Sequence, residues 1–250
     1  MKTYIVANDF QIPFQHPSVT DLFLEFTRWL KPDGVVLAGD IVDGYNFSTF
    51  HKDPNDKGGL AVEIKQAKWL LGEIRNRTSK PAKLFWLGGN HEDRHRRYMW
   101  ANAPALADVL SFPKLFDLAD FKCEWRDYGE VLELGYLLVT HGNYVRAHSA
   151  YTAKKNFEVY GRSVLTGHTH RLGIYYRRNS LGIHAGYENG CMCRFDMEYL
   201  NTPHPDWHHG LSVVHFEPKN GWFHVQQIPI LSESSLFYGA KRIKVKRREV

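Results

Sequence analysis

Five short apolar segments of this chain each end at polar side chains that can bind a metal ion. The segments are residues 4–7, 35–38, 84–87, 136–140 and 164–166, and the polar residues that follow them are Asp9 and Gln11, Asp40 and Asp43, Asn90 and His91, His141, and His168 and His170. Continuous apolar runs of this length are typical of buried strands in a parallel sheet. In open α/β sheets, ligands bind at the carboxyl ends of the strands. The pattern therefore predicts one binding edge to which several strands contribute.

Amphipathic helices separate the first three of these strands. Apolar residues recur at helical spacing over residues 19–30 and 60–74, and a further helical region is expected over residues 92–118. This β-α-β-α-β order predicts a mostly parallel sheet. The second half of the chain has short strand candidates and one expected helix, at residues 147–159. The simplest fold that buries all of these segments is an α/β fold in which two mixed sheets pack on each other and helices flank them.

The composition is that of a globular protein, with 43% hydrophobic and 24% charged residues among 250. It excludes the disordered, collagen-like and coiled-coil classes. No apolar run approaches the roughly 20 residues that span a bilayer, and the start of the chain lacks the apolar core of a signal peptide. Three cysteines, an odd number, argue against a disulfide framework. We expect a cytoplasmic protein with no membrane partner.

Positive charge is concentrated at the end of the chain. Lys and Arg number 32 against 27 Asp and Glu, and residues 241–250 hold six of the bases and one of the acids. We therefore divide the chain into one domain, residues 1–240, and a basic tail, residues 241–250. Such a tail is typical of an arm that neutralises nucleic-acid phosphates, and also of a solvated terminus. No nucleic-acid recognition motif accompanies it, and no interface signature predicts an oligomeric state.

In order and residue type, the five polar blocks resemble the calcineurin-like metallophosphoesterase superfamily, whose pattern is D-x-H, G-D-x-x-D, G-N-H-E/D, H and G-H-x-H. The resemblance runs from Asp9 to His170. Residues 188–193 and 205–207 add a weaker resemblance to compact phage-encoded members, which implies the host cytoplasm as the location. The resemblance implies a four-layer αββα sandwich and metal-dependent hydrolysis of phosphate esters.

The resemblance also implies the ligands of two divalent metal ions that share Asp40. The first ion would be held by Asp9, Gln11, Asp40 and His170, and the second by Asp40, Asn90, His141 and His168. These mixed oxygen and nitrogen ligands suit Mn²⁺ first, with Fe, Zn²⁺, Ni²⁺ or Mg²⁺ as alternatives. Two such ions would bind a bridging hydroxide that attacks phosphorus. His91 would act as the acid at the leaving group, with Asp43 as its partner.

Gln11 departs from the superfamily pattern, which has histidine at that position. An amide oxygen is a weaker ligand than imidazole, so the first site is expected to favour Mn²⁺ or Mg²⁺, or to lose its ion during handling. In the alternative interpretation, Gln11 only hydrogen-bonds a metal-bound water. Gln11 is also the one feature that favours a non-catalytic binding protein on the same fold.

Three further features bear on ligands. Arg94 and His95 follow the third block and are candidate contacts to a substrate phosphate; a solvated helical face is the alternative.

Cys191 and Cys193 form a C-x-C pair for which no metal role is expected, because a structural zinc site normally has four ligands. The predicted substrate is a phosphodiester, including nucleic acid, ahead of a phosphomonoester of a nucleotide or phosphoprotein.

Overall fold

Two β-sheets form the centre of the protein in the computed structural model, which describes residues 1–49, 59–180, 182–196 and 205–248. The strands are β1 (Lys2–Ala7), β2 (Gly34–Leu37), β3 (Lys83–Leu87), β4 (Cys123–Arg126), β5 (Leu132–Leu134), β6 (Leu137–Thr140), β7 (Val164–Thr166), β8 (Gly173–Asn179), β9 (Gly182–Glu188), β10 (Gly210–Phe216), β11 (Phe223–Pro229), β12 (Ser235–Tyr238) and β13 (Lys241–Lys244). The helices are α1 (Pro17–Leu30), α2 (Gly59–Arg77), α3 (Asn90–Asn102), α4 (Phe112–Leu115) and α5 (Tyr151–Tyr160), with 3-10 turns at Tyr45–Phe47 and Pro104–Leu106. None of these helices is long and apolar enough to cross a membrane.

Both sheets are mixed, as predicted. The first has the order β11-β10-β1-β2-β3-β4, in which β1 to β4 are parallel and β10 and β11 are antiparallel. The second has the order β5-β6-β7-β9-β8, in which β6, β7 and β9 are parallel. The predicted α/β fold class is therefore confirmed.

The four layers follow from the alternation of side chains along the strands. On β1, Ile5 and Ala7 face the core that α1 and α2 cover, whereas Tyr4 and Val6 face the core between the two sheets. The outer face of the second sheet is covered by α5. The sheets thus pack on each other with helices outside.

The helical region predicted over residues 92–118 is divided in the structure. Helix α3 ends at Asn102, and Ala103 has an extended φ of −150° before Pro104. A residue that precedes proline disfavours the α conformation, so the helix cannot continue there. The helix predicted over residues 147–159 begins later, at Tyr151, because Ala150 is left-handed, with φ of 69°.

The basic end of the chain is folded onto the domain. β12 and β13 form a hairpin, and Ile243 is buried in the core beside α1. Arg248 forms an ion pair with Asp21 at 2.8 Å, and its backbone N–H donates to Ser18 Oγ at 2.7 Å. Residues 241–244, which the sequence placed in a basic tail over residues 241–250, thus form β13, and residues 249 and 250 lie outside the described residues.

Candidate metal centre

The loops after β1, β2, β3, β6 and β7 meet at one edge of the sandwich. They carry the side chains that were predicted as metal ligands, and these form one connected group: Asp9, Gln11, Asp40, Asn90, His141, His168 and His170. Parallel strands place their carboxyl ends at the same edge, which is why residues far apart in the sequence converge here. We call these seven residues the metal cluster.

One half of the metal cluster surrounds His141. Its Nε2 lies 3.2 Å from Asp40 Oδ2 and 3.1 Å from Asn90 Oδ1. One ligand atom each from Asp40, His141 and His168 lies within 4.8 Å of the others. His141 Nδ1 lies 3.0 Å from the Ala38 carbonyl oxygen, which can only accept, so the proton belongs on Nδ1. The lone pair of a neutral His141 then points from Nε2 into the cluster.

The other half surrounds His170. Its Nε2 lies 3.1 Å from Asp9 Oδ1 and 3.2 Å from the amide nitrogen of Gln11. Asp9 Oδ2 accepts hydrogen bonds from the His168 N–H at 3.0 Å and from the Asn8 amide. No donor among the described residues reaches Asp9 Oδ1 in hydrogen-bond geometry, although Asp9 is fully buried. A buried carboxylate oxygen without a donor fits the place of a bound cation.

Charges within the metal cluster move the pKa values of its members in opposite directions. Burial alone would raise the pKa of Asp40, but His141 and His91 hold it well below its usual value. Burial opposes the charge on His141, yet Asp40 raises its pKa to about 10. Burial, together with the charge on His141, lowers the pKa of His168 to about 4. Shifts of this kind are typical of functional sites.

The backbone of the metal cluster is unusual. Asp9, Gln11, Asp40, His168 and His170 all have positive φ, between 48° and 72°. Non-glycine residues rarely adopt this region, and such conformations are concentrated at functional sites. Neighbouring glycines are also required, since a Cβ on Gly89 would lie 2.0 Å from Asp40 Oδ1. The loops are therefore shaped for these side chains.

His91, the predicted acid, lies at the border of the metal cluster on the first turn of α3. Its Nε2 lies 3.6 Å from Asp40 Oδ2, and its Nδ1 lies 2.8 Å from the Asp43 carbonyl oxygen and 3.3 Å from Asp43 Oδ1. Burial alone would lower the pKa of His91, but Asp40 and Asp43 raise it above its usual value. A raised pKa favours the protonated imidazole that a general acid needs.

The two candidate substrate contacts occupy different places. Arg94 Nη1 donates to the Asp43 carbonyl oxygen at 2.8 Å, and its Nη2 lies 3.1 Å from His91 Nε2. His95 is buried, and its ring packs against Phe47 at 4.9 Å between centroids. It lines a cavity of about 250 Å³ behind α3. Arg94 is therefore next to the predicted acid, whereas His95 faces this cavity.

Sequence reasoning missed Glu92, which holds the loop that carries Asp40. Its buried carboxylate accepts hydrogen bonds from the backbone N–H groups of Asp40 at 2.9 Å, Ile41 at 2.7 Å and Gly89 at 2.7 Å. Gly89 is the N-cap of α3 and Glu92 is its N3 residue, the position from which a glutamate reaches back in a capping box. That spacing was the signal available in the sequence.

Comparisons with known proteins show which family the chain belongs to. The family model for calcineurin-like phosphoesterases matches residues 2–172. The Gene 54 protein of Mycobacterium phage D29 is 28% identical over 228 residues, which cover 85% of this chain and 88% of that protein. The Gene 54 protein of Mycobacterium phage L5 is 30% identical over 233 residues, with the same coverage. Among solved structures, a single mutant of Vps29 from Entamoeba histolytica is 11% identical, covers 98% of this chain and 99% of its own, and has a TM-score of 0.49.

Proposed function

Because this chain belongs to the calcineurin-like phosphoesterase family, we propose that it hydrolyses phosphate esters with two divalent metal ions held by the metal cluster. The observation that carries the proposal is the buried Asp9 carboxylate, whose Oδ1 lies 3.1 Å from His170 Nε2 and receives no hydrogen bond of good geometry from the described residues. When bound, such ions neutralise the charge of a phosphate and activate water. Asp9, Gln11, Asp40 and His170 would hold one ion, and Asp40, Asn90, His141 and His168 the other, with Mn²⁺ as the favoured metal.

The protein's own contribution to the reaction centres on His91. Asp43 holds His91 Nδ1 through its carbonyl oxygen at 2.8 Å, which fixes the ring so that Nε2 faces Asp40. In the proposal, a proton on Nε2 passes to the oxygen of the leaving group. Arg94 Nη1 donates to the Asp43 carbonyl oxygen and so holds the partner of His91, and the guanidinium places a positive charge where the substrate phosphate enters. Arg94 Nη2, which can only donate, lies 3.1 Å from His91 Nε2 and therefore favours departure of the proton from that nitrogen.

We propose a phosphodiester of single-stranded nucleic acid as the substrate. Tyr144, three residues after His141, has two cations near its ring: the Arg146 guanidinium carbon is 5.8 Å from the ring centroid and Lys155 Nζ is 5.6 Å from it. Arg171, which follows His170, donates to the Arg146 carbonyl oxygen at 2.7 Å, so this surface is joined to the metal cluster. An aromatic ring flanked by cations is the arrangement on which single strands stack. At the basic end of the chain, Arg247 and Arg248 are held in ion pairs with Glu233 and Asp21.

The test compares Mn²⁺-dependent hydrolysis of bis-p-nitrophenyl phosphate and p-nitrophenyl phosphate, with metal content measured in the same samples. His91→Ala should retain the metal and lose about 10²–10⁴-fold in rate. His224→Ala is the matched control, because His224 is exposed on β11. No turnover of either ester with metal bound would contradict the hydrolase, and failure to retain metal would favour the non-catalytic interpretation of Gln11. Faster hydrolysis of the monoester would contradict the phosphodiester substrate and favour a phosphomonoester of a nucleotide or phosphoprotein.

The nucleic-acid part has its own test. Tyr144→Ala should weaken the binding of a single-stranded oligonucleotide by about 5- to 150-fold, since stacking on one aromatic ring contributes about 1–3 kcal/mol. Tyr136→Ala removes an exposed tyrosine that packs at Gly221 instead. Equal binding by the two variants would contradict the proposed surface.

A further inference from the structure

A second group of metal-binding side chains lies directly behind His170. The group consists of His170, Cys191 and Cys193, whose ligand atoms lie within 4.8 Å of one another. Cys193 Sγ is 3.7 Å from His170 Nδ1, whereas the metal cluster is on the Nε2 side of the same ring. Both thiols are fully buried. We call these three residues the thiol cluster.

The backbone explains why both thiols face His170. Cys191 and Cys193 each form an isolated β-bridge, to His209 and Gln15 respectively, so the segment is extended. Residues two apart in an extended segment point to the same side. The intervening Met192 is buried in the core on α1's side of the first sheet, and its N–H donates to the Asp9 carbonyl oxygen at 3.0 Å. The two thiols are therefore held in place by a segment that is hydrogen-bonded to the backbone of Asp9.

The spacing and charge of the thiol cluster fit a thiophilic cation. Zinc binds sulfur at about 2.3 Å and imidazole nitrogen at about 2.0–2.1 Å, which in tetrahedral geometry separates the two ligands by about 3.6 Å. The observed separation of Cys193 Sγ from His170 Nδ1 is 3.7 Å. Two thiolates and one divalent cation sum to zero charge, which suits the apolar surroundings of Phe14, Phe195 and Trp207.

We propose that Cys191, Cys193 and His170 Nδ1 bind Zn²⁺ or another thiophilic cation, and that this binding switches off the metal cluster. The site itself is independent of the proposed function, whereas the switch rests on it. Binding releases the two thiol protons to solvent. Thiolates select such cations over Mn²⁺ and Mg²⁺, so the thiol cluster takes the thiophilic cation when Mn²⁺ or Mg²⁺ is also present. The C-x-C pair, for which the sequence predicted no metal role, obtains its third ligand from a distant loop.

The two clusters are coupled because they share the imidazole ring of His170, with Nδ1 in the thiol cluster and Nε2 in the metal cluster. A neutral imidazole has one lone pair, so a metal on Nδ1 leaves the proton on Nε2. His170 Nε2 lies 3.1 Å from Asp9 Oδ1, so its N–H would then occupy the space beside that oxygen. In that state neither Nε2 nor this oxygen is free for a metal ion in the metal cluster. A thiophilic cation should therefore lower Mn²⁺ affinity at the first site.

The binding test titrates the reduced full-length protein with Cd²⁺ and follows the ultraviolet thiolate-to-cadmium charge-transfer absorption. One Cd²⁺ per chain should develop this absorption in the unaltered protein and in Cys123→Ala, whose thiol is buried on β4. Cys191→Ser and Cys193→Ser should each lose at least half of it. Absence of the absorption in the unaltered protein, or its persistence in the double variant, would overturn the site.

A second measurement does not depend on how the variants fold. X-ray absorption spectra of the unaltered protein with one equivalent of Zn²⁺ should show two sulfur neighbours at about 2.3 Å. A shell of only oxygen and nitrogen would overturn the site.

The switch is tested by inhibition of Mn²⁺-dependent hydrolysis. Stoichiometric Zn²⁺ should inhibit the unaltered protein at least tenfold more strongly than Cys193→Ser. Equal inhibition of the unaltered protein and Cys193→Ser would overturn the switch. The cadmium and zinc spectra would still determine whether the thiol cluster binds a metal ion. If no metal supports hydrolysis, the proposed function fails, and the cadmium and zinc spectra still determine whether the thiol cluster binds a metal ion.

Discussion

Glu92 holds Asp40 in place: Oε2 of Glu92 accepts a hydrogen bond from the Asp40 backbone N–H at 2.9 Å, and both carboxylates are buried. Burial, followed by the charge on Asp40, raises the pKa of Glu92. Two buried acids far apart in the sequence are thus coupled: Glu92 on α3 supports the backbone of Asp40, and Asp40 is a member of the metal cluster.

Replacing Glu92 with Gln should weaken both folding and metal binding. A glutamine amide has one accepting oxygen, so its NH₂ group would face backbone donors that now point at the carboxylate. We expect the free energy of unfolding to fall by about 1–3 kcal/mol and Mn²⁺ affinity to fall about 10–100-fold. Denaturant unfolding and Mn²⁺ titration measure these changes. Glu124→Gln, on an exposed side chain of β4, is the control, and similar behaviour of the two variants would contradict the supporting role.

Gly89→Ala should disrupt the metal cluster by displacing Asp40. Gly89 has a φ of −98°, which alanine adopts readily, but the added Cβ would lie 2.0 Å from Asp40 Oδ1 and 2.5 Å from the Asp40 backbone nitrogen. We expect loss of metal retention in a chain that still folds, measured by metal analysis after dialysis. Gly72→Ala in α2 is the matched control, because its Cβ would meet only Phe121 at 3.8 Å; it should stabilise the helix by up to about 1 kcal/mol. Metal retention by Gly89→Ala would show that Asp40 is not needed in its present position.

Gln11→His tests the departure from the superfamily pattern. The Gln11 amide already lies 3.2 Å from His170 Nε2, so an imidazole at this position would extend into the same space. Because imidazole is a stronger donor than an amide oxygen, affinity for the more weakly bound metal ion should rise by roughly tenfold. Calorimetric titration with Mn²⁺ measures this, and Gln11→Ala should change the affinity in the opposite direction. An unchanged affinity in both variants would mean that residue 11 does not ligate metal.

The sequence could place the metal cluster because strand direction alone determines where carboxyl ends lie. Asp9, Asp40 and His141 each follow an apolar strand, and no tertiary detail is needed to bring them to one edge. The thiol cluster could not be predicted, since the approach of Cys193 to His170 depends on the isolated bridges that hold residues 191–193. The support by Glu92 depends likewise on the path of a loop 52 positions earlier.

The sequence did not predict the C-terminal hairpin, because lysines and arginines outnumber the apolar residues in its second strand, β13. Ile243 is the buried residue of β13, and the lysines and arginines around it face outward. Ile243→Ala should lower the free energy of unfolding by about 2–5 kcal/mol, the range for truncating a buried aliphatic side chain. Lys244→Ala is the control, since Lys244 is exposed on the same strand. Equal stability of the two variants, measured by denaturant unfolding, would mean that the hairpin adds nothing to the core.

Glu63 should make folding stability fall as pH rises. It is buried on α2 and accepts a hydrogen bond from the Gly44 N–H at 2.9 Å, beside Asp43. Burial, despite that hydrogen bond, raises the pKa of Glu63 from 4.5 to about 7. Between these values the folded chain keeps a proton that the unfolded chain releases, so the contribution of Glu63 to stability is fully present below about pH 4.5 and is lost as the pH approaches 7.

Glu63→Gln should remove this dependence while it keeps an accepting oxygen for Gly44. A shift of this size corresponds to a loss of roughly 3 kcal/mol from pH 4.5 to above pH 7 in the unaltered protein relative to the variant. Denaturant unfolding at about pH 5 and about pH 8 measures the difference, with Glu73→Gln as a partly exposed control on the same helix. Parallel pH profiles for the unaltered protein and Glu63→Gln would mean that Glu63 is already ionised at the lower pH in the folded state. The N–H of Gly44, the residue after Asp43, would then donate to a charged carboxylate.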